Sequence, residues 1–227
     1  MNNVRNTPAP ANLGERCPLC ESVNPGELWQ DRKRNYLRCG TCELVFVPRG
    51  QFVSAEDEKA RYDTHQNAPD DPRYRQFLSR LFTPMEERLT PGSRGLDFGS
   101  GPGPTLSIMF EEAGHSMAVF DRFYANDRSV FEGRYAFITA TEVVEHLEHP
   151  GKELDRLWGL LEPGGYLGLM TQLVLDRNAF IRWRYKDDLT HIRFFAASTF
   201  EWLAARWTAR ITFADKDVIL FQKIAVC

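Results

Sequence analysis

The stretch Arg94-Gly-Leu-Asp-Phe-Gly-Ser-Gly-Pro-Gly103 constrains this chain more tightly than any other. Leu96 to Phe98 is a short apolar run that reads as a buried strand, and Thr105 to Ala113 reads as a helix opened by Pro104. Between them Gly99, Gly101 and Gly103 make a tight turn. Glycine suits a turn that a ligand must approach closely, because a side chain there would block it. The N–H groups at the start of the helix then face that ligand. The spacing is G-x-G-x-G, which differs from the dinucleotide pattern G-x-G-x-x-G. A second strand is expected over Ser116 to Phe120, ending at Asp121, 24 residues after Asp97. An acid at that end of a strand accepts the ribose hydroxyls of a nucleoside. On its own, Asp121 would more often be a turn residue; the glycine turn before it favours the ribose role.

A second constellation lies upstream. Cys17-Pro-Leu-Cys20 and Cys39-Gly-Thr-Cys42 are two C-x₂-C pairs separated by 18 residues, a zinc-ribbon spacing. Four thiolates close a tetrahedral shell around Zn²⁺ and leave no open position for catalysis. Tyr36 to Arg38 and Leu44 to Val47 fit the strands of a ribbon hairpin. A module of about 40 residues cannot build a sufficient core, so the metal would supply folding energy. Two disulfides, or four unrelated buried thiols, are the alternatives. The cluster Arg32-Lys33-Arg34 is either a phosphate contact or a solvated hairpin face. Cys227 reads as a terminal thiol.

The chain has 227 residues, enough for one full domain and a small appendage. A net charge of −3 argues against a strongly basic nucleic-acid coat or a binder of anionic membranes. No run reaches the ~18 apolar residues of a membrane-spanning helix. Residues 1–12 are polar and rich in Pro and Asn, which predicts a disordered lead without a secretory signal and a cytoplasmic protein. The expected organisation is a zinc ribbon over 13–50, a helical connector over 51–93 and an α/β domain over 94–227.

Asp97-Phe-Gly-Ser-Gly-Pro-Gly103 resembles motif I of the class I S-adenosylmethionine-dependent methyltransferases. Glu162-Pro-Gly-Gly-Tyr-Leu167 resembles the turn before their fifth strand, and the ribbon leader is similar to leaders on some bacterial members. The resemblance spans residues 75–226. It implies a Rossmann-like, seven-strand-type methyltransferase sheet preceded by the small zinc ribbon, with S-adenosylmethionine as cofactor. Gly99, Ser100, Gly101 and Gly103 would cradle the methionine part, Asp97 would help hold its amino group and Asp121 the ribose, with Arg122 and Thr141 beside them. One departure matters: only 14 residues separate Asp121 from the next strand at Ala136. The family usually fits a helix, a third strand and another helix there, so the edge of the sheet is expected to be abridged. Phe123 and Tyr124 are candidates to lie beside the adenine.

Glu142, Glu145 and His146 follow the expected strand Phe137 to Ala140 at i, i+3 and i+4, and share one face if the chain turns helically. Two carboxylates and an imidazole suit a divalent ion such as Mg²⁺ or Mn²⁺ with open positions, and His191 is a fourth candidate. The arrangement resembles the metal site of small-RNA 2′-O-methyltransferases and of ubiquinone-pathway O-methyltransferases, where the ion holds the acceptor hydroxyls. A metal-free general base at His146, and purely structural roles, stand beside that reading. Asp176 to Phe195 interleaves aromatic and basic residues, either as acceptor contacts or as an amphipathic helix packed on the core. The expected reaction is O-methylation of a small molecule. An RNA acceptor and a non-catalytic interaction module are the rivals.

Overall fold

A computed structural model describes residues 14–64 and 68–225. The expected lead and Cys227 lie outside the described residues. Three short strands come first: β1 (Gly26–Gln30), β2 (Asn35–Arg38) and β3 (Val45–Phe46). Two helices follow, α1 (Ala55–Tyr62) and α2 (Pro72–Glu86). Then come β4 (Arg94–Phe98), α3 (Thr105–Glu112), β5 (Ser116–Phe120), β6 (Tyr135–Thr141), α4 (Pro150–Leu160) and β7 (Leu161–Met170). The chain closes with β8 (Leu173–Val174), α5 (Arg177–Arg182), β9 (Arg193–Ala196), α6 (Ala197–Trp207), β10 (Arg210–Asp215) and β11 (Val218–Gln222).

The larger sheet has six strands in the order β10-β11-β7-β6-β4-β5. The four strands β5, β4, β6 and β7 are parallel, and β11 and β10 add an antiparallel edge. Central strands read as continuous apolar runs because both faces are covered. Phe137, Ile138 and Ala140 of β6 are fully buried accordingly. On one face α2 supplies Leu78, Leu81 and Met85, which pack with Phe110 of α3, Phe137, Met170 and Leu220. Caps agree with the local sequence. Ser54 accepts the Asp57 N–H ahead of α1, and Asp71 accepts the Arg73 N–H ahead of α2. Between Asp121 and β6 the chain makes only a 3₁₀ turn, Arg128–Glu132, so β5 is the sheet edge. The abridged edge expected from the short spacing is therefore present.

Strand order reverses about β4: β5 lies on one side and β6 on the other. Ligand crevices of open α/β sheets form at such a switch point, beyond the carboxyl ends of the strands.

The smaller sheet runs β1-β2-β3-β9-β8. Its first three strands come from the cysteine-bearing hairpin and its last two from the segment after β7. Val45 pairs with Phe194 and Phe46 with Arg193, so β9 covers the open edge of β3. One face packs Leu28, Tyr36, Val45 and Val47 against Phe180, Ile192 and Phe194. Phe180 is buried there and Trp183 packs beside it, so the first part of the aromatic–basic segment, the short helix α5, packs on the hairpin. Asp188, Thr190 and His191 further along it line the cavity at the switch point. The other face carries Leu37, Leu44 and Phe46 into a core shared with Leu154, Leu157, Phe195 and Phe200. α4 comes so close to the first cysteine turn that Gly151 donates its N–H to Pro18 O at 3.3 Å. A Cβ on Gly151 would lie 2.3 Å from the Leu19 carbonyl oxygen.

Candidate active site

A cavity of about 560 Å³ opens beyond the carboxyl ends of β4, β5 and β6. Gly99, Ser100 and Gly101 line one wall, with Asp121, Arg122 and Thr141 beside them. Gly99 and Gly101 have φ of +80° and +66°, a conformation that costs glycine nothing. A Cβ on Gly99 would also fall 2.3 Å from Val143 Cγ2. The turn is tied to the neighbouring strand, because Gly99 N–H donates to Phe120 O at 2.7 Å. Asp121 organises the wall further. Its Oδ2 accepts Gly101 N–H at 3.0 Å, and its Oδ1 accepts Phe123 N–H at 2.8 Å and Tyr124 N–H at 3.1 Å. Thr141 Oγ1 is buried with no partner among the described residues, a polar atom left over for a ligand. Phe123 and Tyr124 line the same wall, and the Arg122 guanidinium sits 4.5 Å from the centre of the Phe123 ring.

Two expected cofactor residues sit elsewhere. Gly103 is not among the residues lining the cavity. Asp97 is buried beneath the turn, where it accepts Thr139 Oγ1 at 2.9 Å and Ser107 Oγ at 3.2 Å. Burial pushes its carboxyl up to about 6, against those two donors.

The opposite wall carries the second constellation. Among the described residues, Glu145, His146 and His191 bring ligand atoms within 4.8 Å of one another. Glu142 is not in that group. The expected helical turn does not form: Glu142 has φ of +53°, and only Val144–His146 make a single 3₁₀ turn. Glu142 lines the cavity instead, while Glu145 is fully buried behind it. Tyr185 bridges the two, donating its hydroxyl to Glu145 Oε1 and lying 3.2 Å from Glu142 Oε2. Burial pushes Glu142 up to about 7 and Glu145, with help from the Glu142 charge, up to about 8. Glu145 Oε2 is buried with no hydrogen-bond partner among the described residues.

Both histidines are oriented by backbone. His146 Nδ1–H donates to Thr190 O at 3.0 Å and His191 Nδ1–H to Tyr185 O at 2.7 Å. A carbonyl accepts only, so each neutral ring carries its lone pair on Nε2. Burial lowers the His191 pKa and favours that neutral form. Such a second partner on the distal nitrogen is what orients metal-ligating histidines. The rings stand 4.7 Å apart, and Tyr62 meets His146 edge-on at 5.2 Å. Tyr62 belongs to α1, which buries none of its residues and is held over the cavity by ion pairs from Arg61 to Asp188 and from Glu58 to Arg122. Sequence reading missed Tyr62 and the bridging role of Tyr185, because neither has a local signal that names its partner.

A family model described as a methyltransferase domain matches residues 65–207. The chain belongs to that family. This methyltransferase has the class I α/β architecture and is S-adenosylmethionine-dependent. Among solved structures it is similar to the 1,6-didemethyltoxoflavin N1-methyltransferase of Burkholderia thailandensis, solved with 1,6-didemethyltoxoflavin and S-adenosylhomocysteine. That match has 16% identity, covers 89% of this chain and 100% of the other, and has a TM-score of 0.50. An O-methyltransferase family protein from the same organism matches at 15% identity, over 74% of this chain and 63% of the other, with a TM-score of 0.47. The N-methyltransferase NodS of Bradyrhizobium japonicum, solved with S-adenosylhomocysteine, matches at 17% identity, over 74% of this chain and 97% of the other, with a TM-score of 0.46. These likenesses concern the fold. No curated protein matches the chain. Among the described residues no helix is long and apolar enough to cross a membrane.

Four clustered cysteines of this methyltransferase lie before the matched residues. Cys17, Cys20, Cys39 and Cys42 have sulfurs within 4.8 Å of one another. Cys17 and Cys42 are 3.5 Å apart and Cys20 and Cys39 are 3.4 Å apart, far beyond the ~2.05 Å of a disulfide. A tetrahedron with metal–sulfur bonds of about 2.3 Å has edges of about 3.8 Å, so the set fits one ion. The two turns repeat the same geometry. Glu21 N–H donates to Cys17 O and Glu43 N–H to Cys39 O, with φ of +62° and +61° at the two glutamates.

Proposed function

We propose that this methyltransferase transfers the sulfonium methyl group of S-adenosylmethionine to a hydroxyl group of a small molecule. The observation that carries the proposal is one cavity with two chemically different walls. The glycine turn and Asp121 form a nucleoside-binding wall, and Glu142, His146 and His191 form a proton-accepting wall opposite. Gly99, Ser100 and Gly101 would leave room for the methionine part, with Asp121 on the ribose and Arg122, Thr141 and Phe123 around the rest. Asp97, buried beneath the turn, would help to hold the amino group of the methionine part from below.

The methyl carbon–sulfur bond breaks, its electron pair stays on sulfur, and an oxygen–carbon bond forms while the hydroxyl proton leaves to a base. The donor is already activated, so the protein contributes alignment and exclusion of water. His146 and His191 present Nε2 lone pairs on the acceptor side, suited to hold that proton. A divalent cation, Mg²⁺ or Mn²⁺, fits the set Glu145, His146 and His191, whose orphaned Glu145 Oε2 is a ready ligand atom, and would supply Lewis-acid stabilisation of the acceptor oxygen. Four cysteines would hold a structural Zn²⁺. The hairpin that suggested an RNA acceptor carries less exposed charge than its sequence promised, because Arg34 is 4% exposed.

Methyl-labelled S-adenosylmethionine incubated with the protein and a metabolite extract tests the reading. Label is expected in small molecules, in alkali-stable ether linkage, and is expected to fall sharply in His191→Ala and after chelation. Label in RNA or protein, or turnover indifferent to both the histidine change and chelation, would overturn it.

A further inference from the structure

Arg34 lies in the turn between β1 and β2, in a run that looks like a solvated basic face, yet it is 4% exposed. Its guanidinium reaches across to the segment that carries His191. Nη1 donates to Leu189 O at 3.1 Å and to His191 O at 2.9 Å. Nη2 donates to Lys186 O and, at 3.2 Å, to Asp188 O. All four N–H groups of the two terminal nitrogens are thereby used on four backbone carbonyls of one loop. Only a planar fork with fixed donor directions can serve them together, since an ammonium offers three donors from a single point.

Arg34 is itself held in place. Asp31 Oδ1 accepts Arg34 N–H at 2.8 Å and Lys33 N–H at 2.7 Å, and Tyr36 donates its hydroxyl to Asp31 Oδ2 at 2.9 Å. Further along the hairpin, Val47 N–H donates to Ile192 O at 3.0 Å, and Ile192 N–H donates to Glu145 O at 2.9 Å. The loop 186–191 is thus pinned by Arg34 on one side and by the strand after the second cysteine pair on the other. That same loop supplies Thr190 O to His146, while Tyr185 O, the carbonyl just before it, serves His191.

We propose that Arg34 is a positioning residue for the acceptor wall. It fixes the loop that supplies the Thr190 carbonyl to His146 and that continues directly from the Tyr185 carbonyl, which sets the ring orientation and tautomer of His191. The cysteine hairpin is then a built-in support of the active site. The inference rests on the reading of His191 as an acceptor-side residue, and it gives the hairpin a role within the chain.

The test uses the full chain labelled with ¹⁵N-histidine, with the His191 signals assigned by loss in His191→Ala. In the wild-type protein long-range ¹H–¹⁵N spectra are expected to show His191 as the Nδ1–H tautomer. In Arg34→Ala the signals are expected to move toward a mixture of tautomers, and Mn²⁺ affinity followed by electron paramagnetic resonance is expected to fall about tenfold or more. Zinc content and S-adenosylhomocysteine affinity are expected to stay unchanged, which certifies the fold. Arg32→Ala and Lys33→Ala are expected to change none of these. Should Arg34→Ala not fold, Arg34→Lys is read the same way, with a smaller shift expected because one ammonium replaces the fork. A folded variant with unchanged His191 signals overturns the proposal. Failure of the wild-type protein to bind Mn²⁺ overturns the cation reading alone, since the tautomer shift still decides the role of Arg34.

Discussion

Asp121 satisfies three backbone N–H groups and closes the glycine turn, so its loss has two consequences at the level of single residues. Asp121→Ala is expected to weaken S-adenosylhomocysteine binding in calorimetry, and to lower stability by about 1–3 kcal/mol through the donors it strands. Gly99→Ala is a steric test of the same wall. The left-handed backbone costs an L-residue about 1–2 kcal/mol, and the new Cβ meets Val143. Retained cofactor affinity in Gly99→Ala would show that the turn does not hold the ligand. Asp97 gives a pH signature. Its folded pKa, raised by burial from 3.8 to about 6, means that the neutral acid is the form the fold prefers. Its contribution is complete below about pH 4 and is lost as pH rises through about 6, a difference of about 3 kcal/mol. Urea titrations of Asp97→Asn are therefore expected to show the variant gaining stability relative to wild type between pH 4 and 7. A constant difference across that range would show that Asp97 does not titrate there.

Between elements, the decisive contact is the seam joining the cysteine hairpin to α4, α6 and β9. Glu43 accepts the Ser198 hydroxyl across it, and Arg193 donates to Val47 O and Glu148 O, linking the hairpin to the segment after the 3₁₀ turn of His146. Gly151 sits where α4 touches the first cysteine turn. Gly151→Ala would press a methyl group against a backbone carbonyl that has little freedom to move. A loss of about 1–3 kcal/mol in chemical denaturation is expected, with zinc content retained. An unperturbed variant would mean that the hairpin and α4 are not in close contact in solution.

At the scale of the whole molecule, this seam makes the hairpin and the methyltransferase sheet one cooperative body. Their shared core contains Cys17, Cys39 and Cys42 together with Leu96, Ile138 and Phe221. A single calorimetric transition is expected, with calorimetric and van't Hoff enthalpies equal. Metal that binds only the folded state stabilises all of it. Stripping zinc with a chelator under denaturing-free conditions is thus expected to lower the one transition and to abolish S-adenosylhomocysteine binding together. Two separate transitions, with cofactor binding surviving in the second, would contradict the single body.

Read by itself, the sequence determined what depends on short-range chemistry. A left-handed turn demands Gly99 and Gly101, two closely spaced C-x₂-C pairs bring four thiols together, and too few residues after Asp121 leave no room for a further strand and its helices. Each of these is imposed by a handful of neighbouring residues, so it is legible without the fold. The rest was decided by tertiary structure. Arg34 is indistinguishable from Arg32 in the sequence, and only the tertiary structure shows its guanidinium on the carbonyls of the His191 loop, more than 150 residues away in the chain. Glu142 and Glu145 share a spacing that fits one helix face, yet the left-handed backbone at Glu142 sends one to the cavity and leaves the other buried behind it. Burial and long-range pairing arise from contacts between residues far apart in the chain, and no local pattern encodes which distant partner a side chain will meet.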